Sequence, residues 1–402
     1  MPNIGSEIRS LIEFTAPVRL IHVTTVPLSF GFFHGQIGYL KGRGFEVHMV
    51  SSPGELANHF RESEGVQVHS VPMARSIRPF GDLVALWRLW KLFREVRPDI
   101  VHSHTPKAGL LGTIAARMAG VPVVFLSIFG LPQMTMKGLP RKLLNFSTRM
   151  ACFLTHRVWC DSFSMRDYMI EKNLCPTEKV VVFGHGSVNG VDAQHTFSPH
   201  TQGPDVRAAV RRQYKIPEEA TVLGYVGRIV GDKGMHELAG AWKVLRNQYA
   251  DLHLFMVGPF EPKDPLLPED EMLFRTDPRI HLAGQRKDVA PHFSAMDIFV
   301  MPSYREGFGI TNIEAAAMEL PVVSTRIPGC IDSVQDGLTG TLVPPRDSNA
   351  LVEVIQMYIN EPELRHNHGK AGRERVLRDF QQETIWEALS RDYMQLLKQL
   401  ST

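Results

Sequence analysis

The stretch that decides the fold is Ile298-Phe-Val-Met-Pro-Ser-Tyr-Arg-Glu-Gly-Phe-Gly-Ile-Thr-Asn-Ile-Glu314. It begins with an apolar run typical of a buried strand, passes through a Gly-x-Gly loop and continues in a helical pattern. A strand, a loop and a helix in this order indicate an α/β fold, in which ligands bind where the strands end.

The two carboxylates of this stretch, Glu306 and Glu314, lie eight residues apart on either side of the glycines. The glycines allow close approach of the backbone, and the amides that open the predicted helix 311–319 can face phosphate oxygens. Glu306 can accept hydrogen bonds from sugar hydroxyls, and Glu314 can reach the two hydroxyls of a ribose. The spacing therefore predicts a sugar-nucleotide site, although a glycine loop between strand and helix is also common structural punctuation.

The composition is that of a globular protein with a full core. The 402 residues are 44% hydrophobic, 21% charged and 9% aromatic, and their length predicts two domains. The formal net charge of +2 gives no reason to expect nucleic acid as a partner.

The four cysteines and the first residues bear on the compartment. Cys152, Cys160, Cys175 and Cys330 have neither zinc-site nor disulfide spacing, which favours a reducing compartment. Residues 1–17 lack a basic start followed by a long apolar core, and no apolar run approaches the ~20 residues of a bilayer span. We expect a frayed start and a cytoplasmic protein.

Short runs rich in Val and Ile alternate with helical segments along the whole chain, which predicts two doubly wound parallel sheets. The predicted strands are 19–25, 45–51, 66–72, 99–104, 121–127, 156–161 and 179–183, then 221–226, 252–257, 279–282, 298–301, 321–324 and 340–343. A Gly-rich segment around Asn189-Gly190 marks the hinge. We therefore predict domains over 18–188 and 189–378 that face a cleft, and a last helix over 379–402.

Two basic residues follow the first predicted strand of the second domain. Arg228 ends that strand and Lys233 opens the next helix, so both can converge on one phosphate group. Such a pair would stabilise a diphosphate leaving group. The alternative is an ordinary turn with solvated charges.

Together these residues resemble the retaining GT-B glycosyltransferases of family 4. The matched pieces are Gly227-Arg228, Lys233-Gly234, Met256-Val-Gly258, Leu282-Ala-Gly284, Arg286-x-Asp288-Val289, Pro302-Ser303, Glu306 to Glu314, Gly329 and Asp336-Gly-x-Thr-Gly340. The resemblance runs from about Val18 onward and is weaker in the first half. There His102-Ser-His-Thr-Pro-Lys-Ala-Gly109 and residues 184–192 resemble the bacterial capsule, O-antigen and exopolysaccharide subset.

The resemblance implies a fold, a reaction and a set of site residues. It implies two Rossmann-like domains and transfer of a hexose or N-acetylhexosamine from a UDP-sugar to a lipid-linked acceptor, such as a polyprenyl diphosphate sugar. Glu306 would contact the transferred sugar, Glu314 the ribose, and Arg228 with Lys233 the diphosphate. The remaining donor contacts implied are Gly258, Arg286, Gly307, Phe308, Gly309 and Ile310. The last helix would pack back on the first domain.

No metal and no other cofactor is implied. The chain has no Asp-x-Asp pair, and two cations can balance the leaving diphosphate in place of magnesium. We therefore expect a metal-independent enzyme, with the nucleotide sugar as its substrate.

One position departs from the family pattern. Many relatives carry a histidine or an acidic residue before the Gly-Leu of the loop after the fifth strand, where this chain has Ser127-Ile-Phe129-Gly130-Leu131. Phe129 cannot accept a proton or bond a sugar. A backbone carbonyl of that loop replaces the missing polar side chain, or His104 replaces it, or activity is weak or absent. We favour the first of these alternatives.

The predicted acceptor contacts are His104, Lys107, Phe129 and Gly130. His102 and His104 share a strand face and can in principle bind a metal, but no third ligand is recognisable from the sequence. Hydrogen bonding is the better interpretation, so no metal site is predicted.

Two predicted helices, 80–97 and 137–157, are both basic and apolar. Such faces suit an anionic membrane surface, with a core helix as the alternative. Helix 137–157 in particular predicts peripheral binding to the inner face of the cytoplasmic membrane. Two other functions stay open at this stage: a sugar-nucleotide 2-epimerase and a non-catalytic nucleotide-sugar-binding protein.

Overall fold

The computed structural model of the protein describes residues 16–262 and 264–401. It confirms the predicted α/β architecture of two parallel, Rossmann-like sheets. The predicted frayed start over 1–17 lies almost wholly outside the described residues.

The first sheet has seven parallel strands in the order β3-β2-β1-β4-β5-β6-β7. The strands are β1 (Val18–Val23), β2 (Phe45–Ser51), β3 (Gln67–Ser70), β4 (Ile100–Ser103), β5 (Val123–Ile128), β6 (Arg157–Cys160) and β7 (Val180–Val181). The central strands β4 and β5 are buried throughout, as a sheet covered by helices on both faces requires.

The second sheet has six parallel strands in the order β10-β9-β8-β11-β12-β13. The strands are β8 (Thr221–Val226), β9 (Leu252–Val257), β10 (Ile280–Gly284), β11 (Ile298–Met301), β12 (Val322–Thr325) and β13 (Gly340–Val343). In both sheets the strand order reverses once, between β1 and β4 and between β8 and β11. A crevice opens at the carboxyl ends of the strands at such points, and ligands bind there.

Fifteen α-helices occur in the described part of the chain. They are α1 (Gln36–Gly42), α2 (Glu55–Glu64), α3 (Pro79–Val96), α4 (Pro106–Ala119), α5 (Gly138–Leu154), α6 (Phe163–Glu171), α7 (Pro204–Gln213), α8 (Met235–Gln248), α9 (Pro268–Thr276), α10 (Ala290–Phe293), α11 (Ile310–Ala317), α12 (Cys330–Ser333), α13 (Ser348–Asn360), α14 (Pro362–Asp379) and α15 (Gln382–Ser401). Short 3₁₀ turns occur at Pro27–Phe33, Pro132–Met134, Thr177–Lys179 and Gly231–Lys233.

Helix α15 lies against the first sheet although it follows the second sheet in sequence. Ile385, Leu389 and Tyr393 are buried in the core of the first domain. Asp392 receives two hydrogen bonds from the guanidinium of Arg157, at 3.1 and 3.0 Å. The chain therefore crosses between the domains twice, once in each direction.

Helix α5 is shorter than the predicted 137–157. It ends at Leu154 because Thr155 is extended, with φ −93° and ψ 157°. Arg157 instead begins β6. Extended geometry suits a β-branched residue at that point, and the strand prediction for 156–161 prevails over the helix prediction.

Among residues 16–262 and 264–401, no helix combines the length and the apolar character that crossing a bilayer requires.

Candidate active site

The candidate site lies where the second sheet reverses its strand order, in the loops that follow β8 and β11. Lys233 ends the turn Gly231–Lys233 after β8, and Glu306 lies in the loop between β11 and α11. The Lys233 ammonium donates a hydrogen bond to Glu306 Oε1, and both side chains are mostly buried. The structure thus joins two of the three predicted catalytic residues in one ion pair.

Close backbone packing holds the two loops together. Gly234 has φ 70°, and a Cβ there would lie 1.9 Å from the carbonyl oxygen of Pro302, so only glycine fits. The amide of Tyr304 donates to the Asp232 carbonyl at 2.9 Å, and Arg305 forms an ion pair with the Asp232 carboxylate at 3.0 Å. The spacing between Lys233 and Glu306 is therefore fixed by the fold.

Arg228 has a different partner from Lys233. Its Nη1 lies 2.9 Å from Oε2 of Glu261, and the Arg228 side chain is 44% exposed. The sequence predicted that Arg228 and Lys233 converge on one phosphate, whereas in this structure each cation is paired with its own carboxylate. Glu261 was not predicted, because it lies 33 residues after Arg228 in a loop without a recognisable motif.

Glu314 lies on α11 with its carboxyl partly buried. It has no hydrogen-bond or ion-pair partner among the described residues, and burial raises its pKa to about 7. Its acceptor oxygens are consequently available to a ligand that brings hydroxyl groups.

Some residues of the loop that precedes α11 lie at the candidate site, and others are buried in the core. The Phe308 ring is buried and packs edge-on against Phe380, so the donor contact predicted for Phe308 would have to be made by its backbone. Gly309 has φ 78° and precedes α11, and Ile310 is the first residue of that helix. Gly307 and the Phe308 ring both lie against the first domain, Gly307 beside Asp161 and the Phe308 ring beside Gly186.

The two remaining predicted donor residues lie beyond other strands. A Cβ at Gly258, which follows β9, would lie 1.8 Å from the Gly227 carbonyl oxygen, so this glycine lets two strand ends approach. Arg286 follows the edge strand β10 and donates from Nε to the Tyr214 hydroxyl at 3.0 Å. The contact found for Arg286 is therefore with Tyr214 and not with the Lys233–Glu306 pair.

Three of the four predicted acceptor residues line one cavity in the first domain. His104, Phe129 and Gly130 border a mostly apolar space of about 120 Å³ between β5, α4 and α5. Lys107 lies elsewhere, because its ammonium is 2.6 Å from Asp82 and 2.5 Å from the Ser76 carbonyl oxygen. The structure does not bring Lys107 to this cavity.

His104 belongs to a buried cluster with His22 and His102. The sequence offered no third ligand beside His102 and His104, and this was wrong, because parallel pairing of β1 with β4 sets His22 opposite His102. Burial lowers the pKa of all three, that of His22 to about 3, and keeps them neutral.

Four of the six nitrogens of these histidines take part in hydrogen bonds, and His22 Nε2 and His104 Nδ1 are buried without a partner among the described residues. His102 Nδ1 meets the Tyr393 hydroxyl at 2.5 Å, and its Nε2 meets Ser127 Oγ at 2.6 Å. His22 Nδ1 and His104 Nε2 share a hydrogen bond of 2.9 Å. This pattern is that of a hydrogen-bonded core network.

The turn between β6 and α6 connects the first domain to the site in the second. Ser162 Oγ donates to the Gly307 carbonyl oxygen at 2.8 Å. The amide of Phe163 donates to Oδ1 of Asp332 at 3.0 Å, and the Ser164 hydroxyl bonds the same carboxylate. The sequence did not predict these contacts, because their partners lie more than a hundred residues away.

Comparison with known proteins gives two family matches. Residues 206–375 match the family Glycosyl transferases group 1, and residues 32–186 match the Glycosyl transferase 4-like domain.

Individual relatives cover most of the chain. The capsular polysaccharide biosynthesis glycosyltransferase CapM of Staphylococcus aureus is 34% identical over 381 residues, which are 95% of this chain and 98% of CapM. An Escherichia coli UDP-Gal:alpha-D-GlcNAc-diphosphoundecaprenol alpha-1,3-galactosyltransferase is 27% identical, over 84% of this chain and 87% of its own. The fold is similar to that of Anabaena HepE, solved with UDP-glucose, with a TM-score of 0.77 at 20% identity over 95% of this chain and 99% of HepE.

Proposed function

The chain belongs to the group 1 glycosyl transferases with a glycosyl transferase 4-like first domain, and we propose that it transfers a hexose or N-acetylhexosamine from a UDP-sugar to a lipid-linked glycan in surface polysaccharide synthesis. The proposed reaction retains the anomeric configuration of the sugar. The protein is thus a glycosyltransferase, and its donor, acceptor and stereochemistry are the proposal.

The ion pair between Lys233 and Glu306 carries this proposal. Breaking the bond between the sugar C1 and the diphosphate oxygen leaves negative charge on the diphosphate. A mostly buried ammonium beside that oxygen stabilises the charge, and the more exposed Arg228 adds a second cation. As Lys233 turns to the diphosphate, Glu306 is released to accept hydrogen bonds from the sugar.

The acceptor hydroxyl oxygen then bonds to C1 on the face from which the diphosphate leaves, and its proton passes to the departing phosphate oxygen. Two cations and helix amides balance the diphosphate charge in this scheme, so we propose that no metal ion takes part. Glu314 accepts the two ribose hydroxyls.

The uridine donor and the lipid-linked acceptor draw support from the relatives. The E. coli relative is named for a UDP-galactose donor and a diphosphoundecaprenol acceptor, and the HepE structure contains UDP-glucose. CapM is named for capsular polysaccharide biosynthesis. A lipid-linked acceptor requires the enzyme to work at a membrane surface.

The surface of α5 supports such a location. Leu139, Leu143, Phe146, Met150 and Phe153 are all exposed, by 77, 49, 61, 36 and 73%, and they recur every three or four residues, so they form one stripe along the helix. A core helix would bury its apolar stripe, whereas the stripe of α5 faces solvent. This exposure favours membrane binding over the core-helix alternative.

Basic side chains flank this stripe, and a second helix adds to it. Lys137, Lys142 and Arg149 are exposed beside the stripe of α5. On α3, Phe80 and Trp87 are exposed by 87 and 56%. Apolar side chains that enter the headgroup region, with basic side chains beside them, favour peripheral binding to the anionic inner face of the cytoplasmic membrane.

A donor screen tests the proposed reaction. We would measure the melting temperature and nucleotide release of the purified protein with UDP-, GDP- and ADP-sugars, first with a chelator and then with magnesium. We expect a chelator-insensitive rise in melting temperature with a UDP-sugar, and slow release of UDP. Release that requires magnesium would contradict the metal-independent scheme, and no response to any UDP-sugar would contradict the donor.

Product analysis then tests the stereochemistry and the alternatives. The product formed on an undecaprenyl diphosphate sugar acceptor should carry an α-linked sugar by NMR, as in the donor. A β-linked product would contradict retention. An epimerised nucleotide sugar would point instead to the 2-epimerase, and binding without product to the non-catalytic function.

A further inference from the structure

Asp161 is a buried carboxyl without a partner for one of its oxygens. It follows β6, is 1% exposed, and its Oδ1 atom has no hydrogen-bond partner among the described residues. Two other buried carboxylates have partners: Asp277 accepts a hydrogen bond from Trp242 Nε1 at 2.9 Å, and Asp270 lies 3.4 Å from the Lys243 ammonium. Burying a carboxyl group without a hydrogen-bond partner lowers the stability of the folded protein, which indicates that Asp161 has a role other than stabilising the fold.

Asp161 lies against the loop that carries Glu306. A Cβ at position 307 would lie 2.2 Å from Asp161 Oδ2, 2.7 Å from the Phe129 carbonyl carbon and 2.8 Å from the Gly130 amide nitrogen. The Asp161 carboxyl and the Phe129–Gly130 peptide therefore meet at one point, over Gly307. That point lies one residue from the carboxylate that is expected to hold the transferred sugar.

The charges around Asp161 are acidic. Burial raises the pKa of Asp161 well above its usual range, and the carboxylates of Asp332 and Glu306 raise it further. The neutral form of the Asp161 carboxyl is thereby favoured in this structure. A ligand that brings hydroxyl donors favours the ionised form and removes that cost.

The polar residue that the family resemblance places at position 129 is absent, and Asp161 is the polar side chain found at this contact. The Phe129 ring lies between His104 and Trp159, with ring centroids 5.8 and 5.3 Å away, and offers no hydrogen-bonding atom. His104 lies behind that ring and already shares a hydrogen bond with His22.

We propose that Asp161 accepts a hydrogen bond from a hydroxyl of the transferred sugar, beside Glu306, and so helps to select the donor. The sugar lies beside the contact between Asp161 and Gly307, and its hydroxyl is the partner that Oδ1 lacks. This inference rests on the proposed function, because it places the sugar of a UDP donor over Gly307.

The test pairs one substitution with substrates that lack single hydroxyls. Asp161→Asn keeps the shape of the neutral acid, so we expect it to fold with an unchanged melting temperature. UDP release is measured for both proteins with the UDP-sugar of highest turnover and with its 2-, 3-, 4- and 6-deoxy analogues. We expect kcat/KM of the variant to fall about 10- to 100-fold with the parent sugar, the range of one hydrogen bond to a charged group.

The decisive result is the dependence of that loss on the sugar. With the analogue that lacks the contacted hydroxyl, the two proteins should differ less than about twofold, because the interaction is already gone. An equal loss with the parent and with every analogue would overturn the role, since it would show a purely structural effect.

Asp332→Asn is the matched control. Its carboxylate lies at the same domain contact, but Phe163 and Ser164 already satisfy it. We expect an equal loss with every sugar for this variant. If the unmodified protein neither binds nor turns over any UDP-sugar, the proposed function itself fails; turnover with a uniform loss in Asp161→Asn overturns only the inference on Asp161.

Discussion

Lys233 has one partner in this structure and, in the proposed reaction, a second. In this structure its ammonium donates a hydrogen bond to Glu306. A diphosphate carries more negative charge than one carboxylate and attracts the ammonium more strongly. In the proposed reaction, donor binding thereby breaks the ion pair and frees Glu306, which would couple the occupation of the phosphate site to that of the sugar site.

Lys233→Ala should therefore slow the reaction more than it weakens donor binding. We expect kcat for UDP release to fall by roughly 100-fold, since one oxyanion-stabilising donor contributes on the order of 3 kcal/mol to the transition state. Lys243→Ala is the control, because Lys243 lies on the next helix, is 50% exposed and pairs with Asp270 outside the site. An unchanged kcat for Lys233→Ala would remove this residue from the mechanism.

Glu314 should give donor binding a pH dependence. Its pKa of about 7 lies above the ordinary value, so the carboxyl changes from mostly protonated near pH 6 to mostly ionised near pH 8. The ionised form accepts both ribose hydroxyls. We expect KM for the UDP-sugar to fall by up to about 10-fold as the pH rises across that window.

Glu314→Gln is the matched variant for that experiment, since an amide of the same shape does not titrate. Its KM should be flat over the same pH range and higher than that of the unmodified protein at pH 8. A pH dependence of KM that persists in Glu314→Gln would assign the titration to another group.

Among the elements, helix α5 has one face that lines the cavity and another that faces solvent. Ser147, Thr148 and Ala151 line the cavity beside Phe129. Leu143 and Phe146 point to solvent from the same turns of the helix. A lipid-linked acceptor held at the membrane by the outer face would lie close to the cavity on the inner face.

Replacing the outer face of α5 should abolish binding to anionic membranes without loss of stability. We expect Phe146→Asp combined with Phe153→Asp to prevent co-sedimentation with vesicles rich in phosphatidylglycerol, because two apolar anchors are lost and two negative charges are added. Both side chains are exposed, by 61 and 73%, so we expect the melting temperature to stay unchanged.

Met272→Asp is the control for this surface, because Met272 is 62% exposed on α9, in the second domain. This variant should bind the vesicles as the unmodified protein does. Equal binding by all three proteins would show that α5 does not contact the membrane.

The elements were the part of the molecule most accessible from sequence. Every predicted strand lies within a few residues of an observed one, because buried parallel strands are short apolar runs whose signal is local. The loops that carry Lys233 and Glu306 were also predictable from a local signal, because glycines mark them in the sequence. The end of α5 was missed, because Thr155-His156-Arg157 contains no glycine or proline that would mark the end of a helix, and the helix and strand predictions overlapped at 156–157.

Contacts between distant segments were not accessible in the same way. His22 meets His102 only through the pairing of β1 with β4, and Glu261 meets Arg228 only because the ends of β8 and β9 lie side by side. Asp161 follows a correctly predicted strand, but its significance depends on Gly307 in the other domain. No local pattern encodes such neighbours.

At the scale of the whole molecule, the two domains meet at the loop that carries Glu306. Ser162 bonds the Gly307 carbonyl oxygen, and Asp332 holds the start of α6. Helix α15 ties the end of the chain to the first domain. The contact between the two domains at this loop therefore depends on how nearly the backbone at Gly307 can approach the first domain.

Gly307→Ala should consequently abolish transfer although it removes no chemical group. The new methyl would lie 2.2 Å from Asp161 Oδ2 and 2.7 Å from the Phe129 carbonyl carbon, and because one of these is backbone, the domains cannot close at this point. We expect UDP release to fall to background, with native circular dichroism. Gly38→Ala is the control, since a Cβ there, on α1, meets nothing within 4 Å and alanine suits a helix. Full activity of Gly307→Ala would show that catalysis does not need the domains to meet at Gly307.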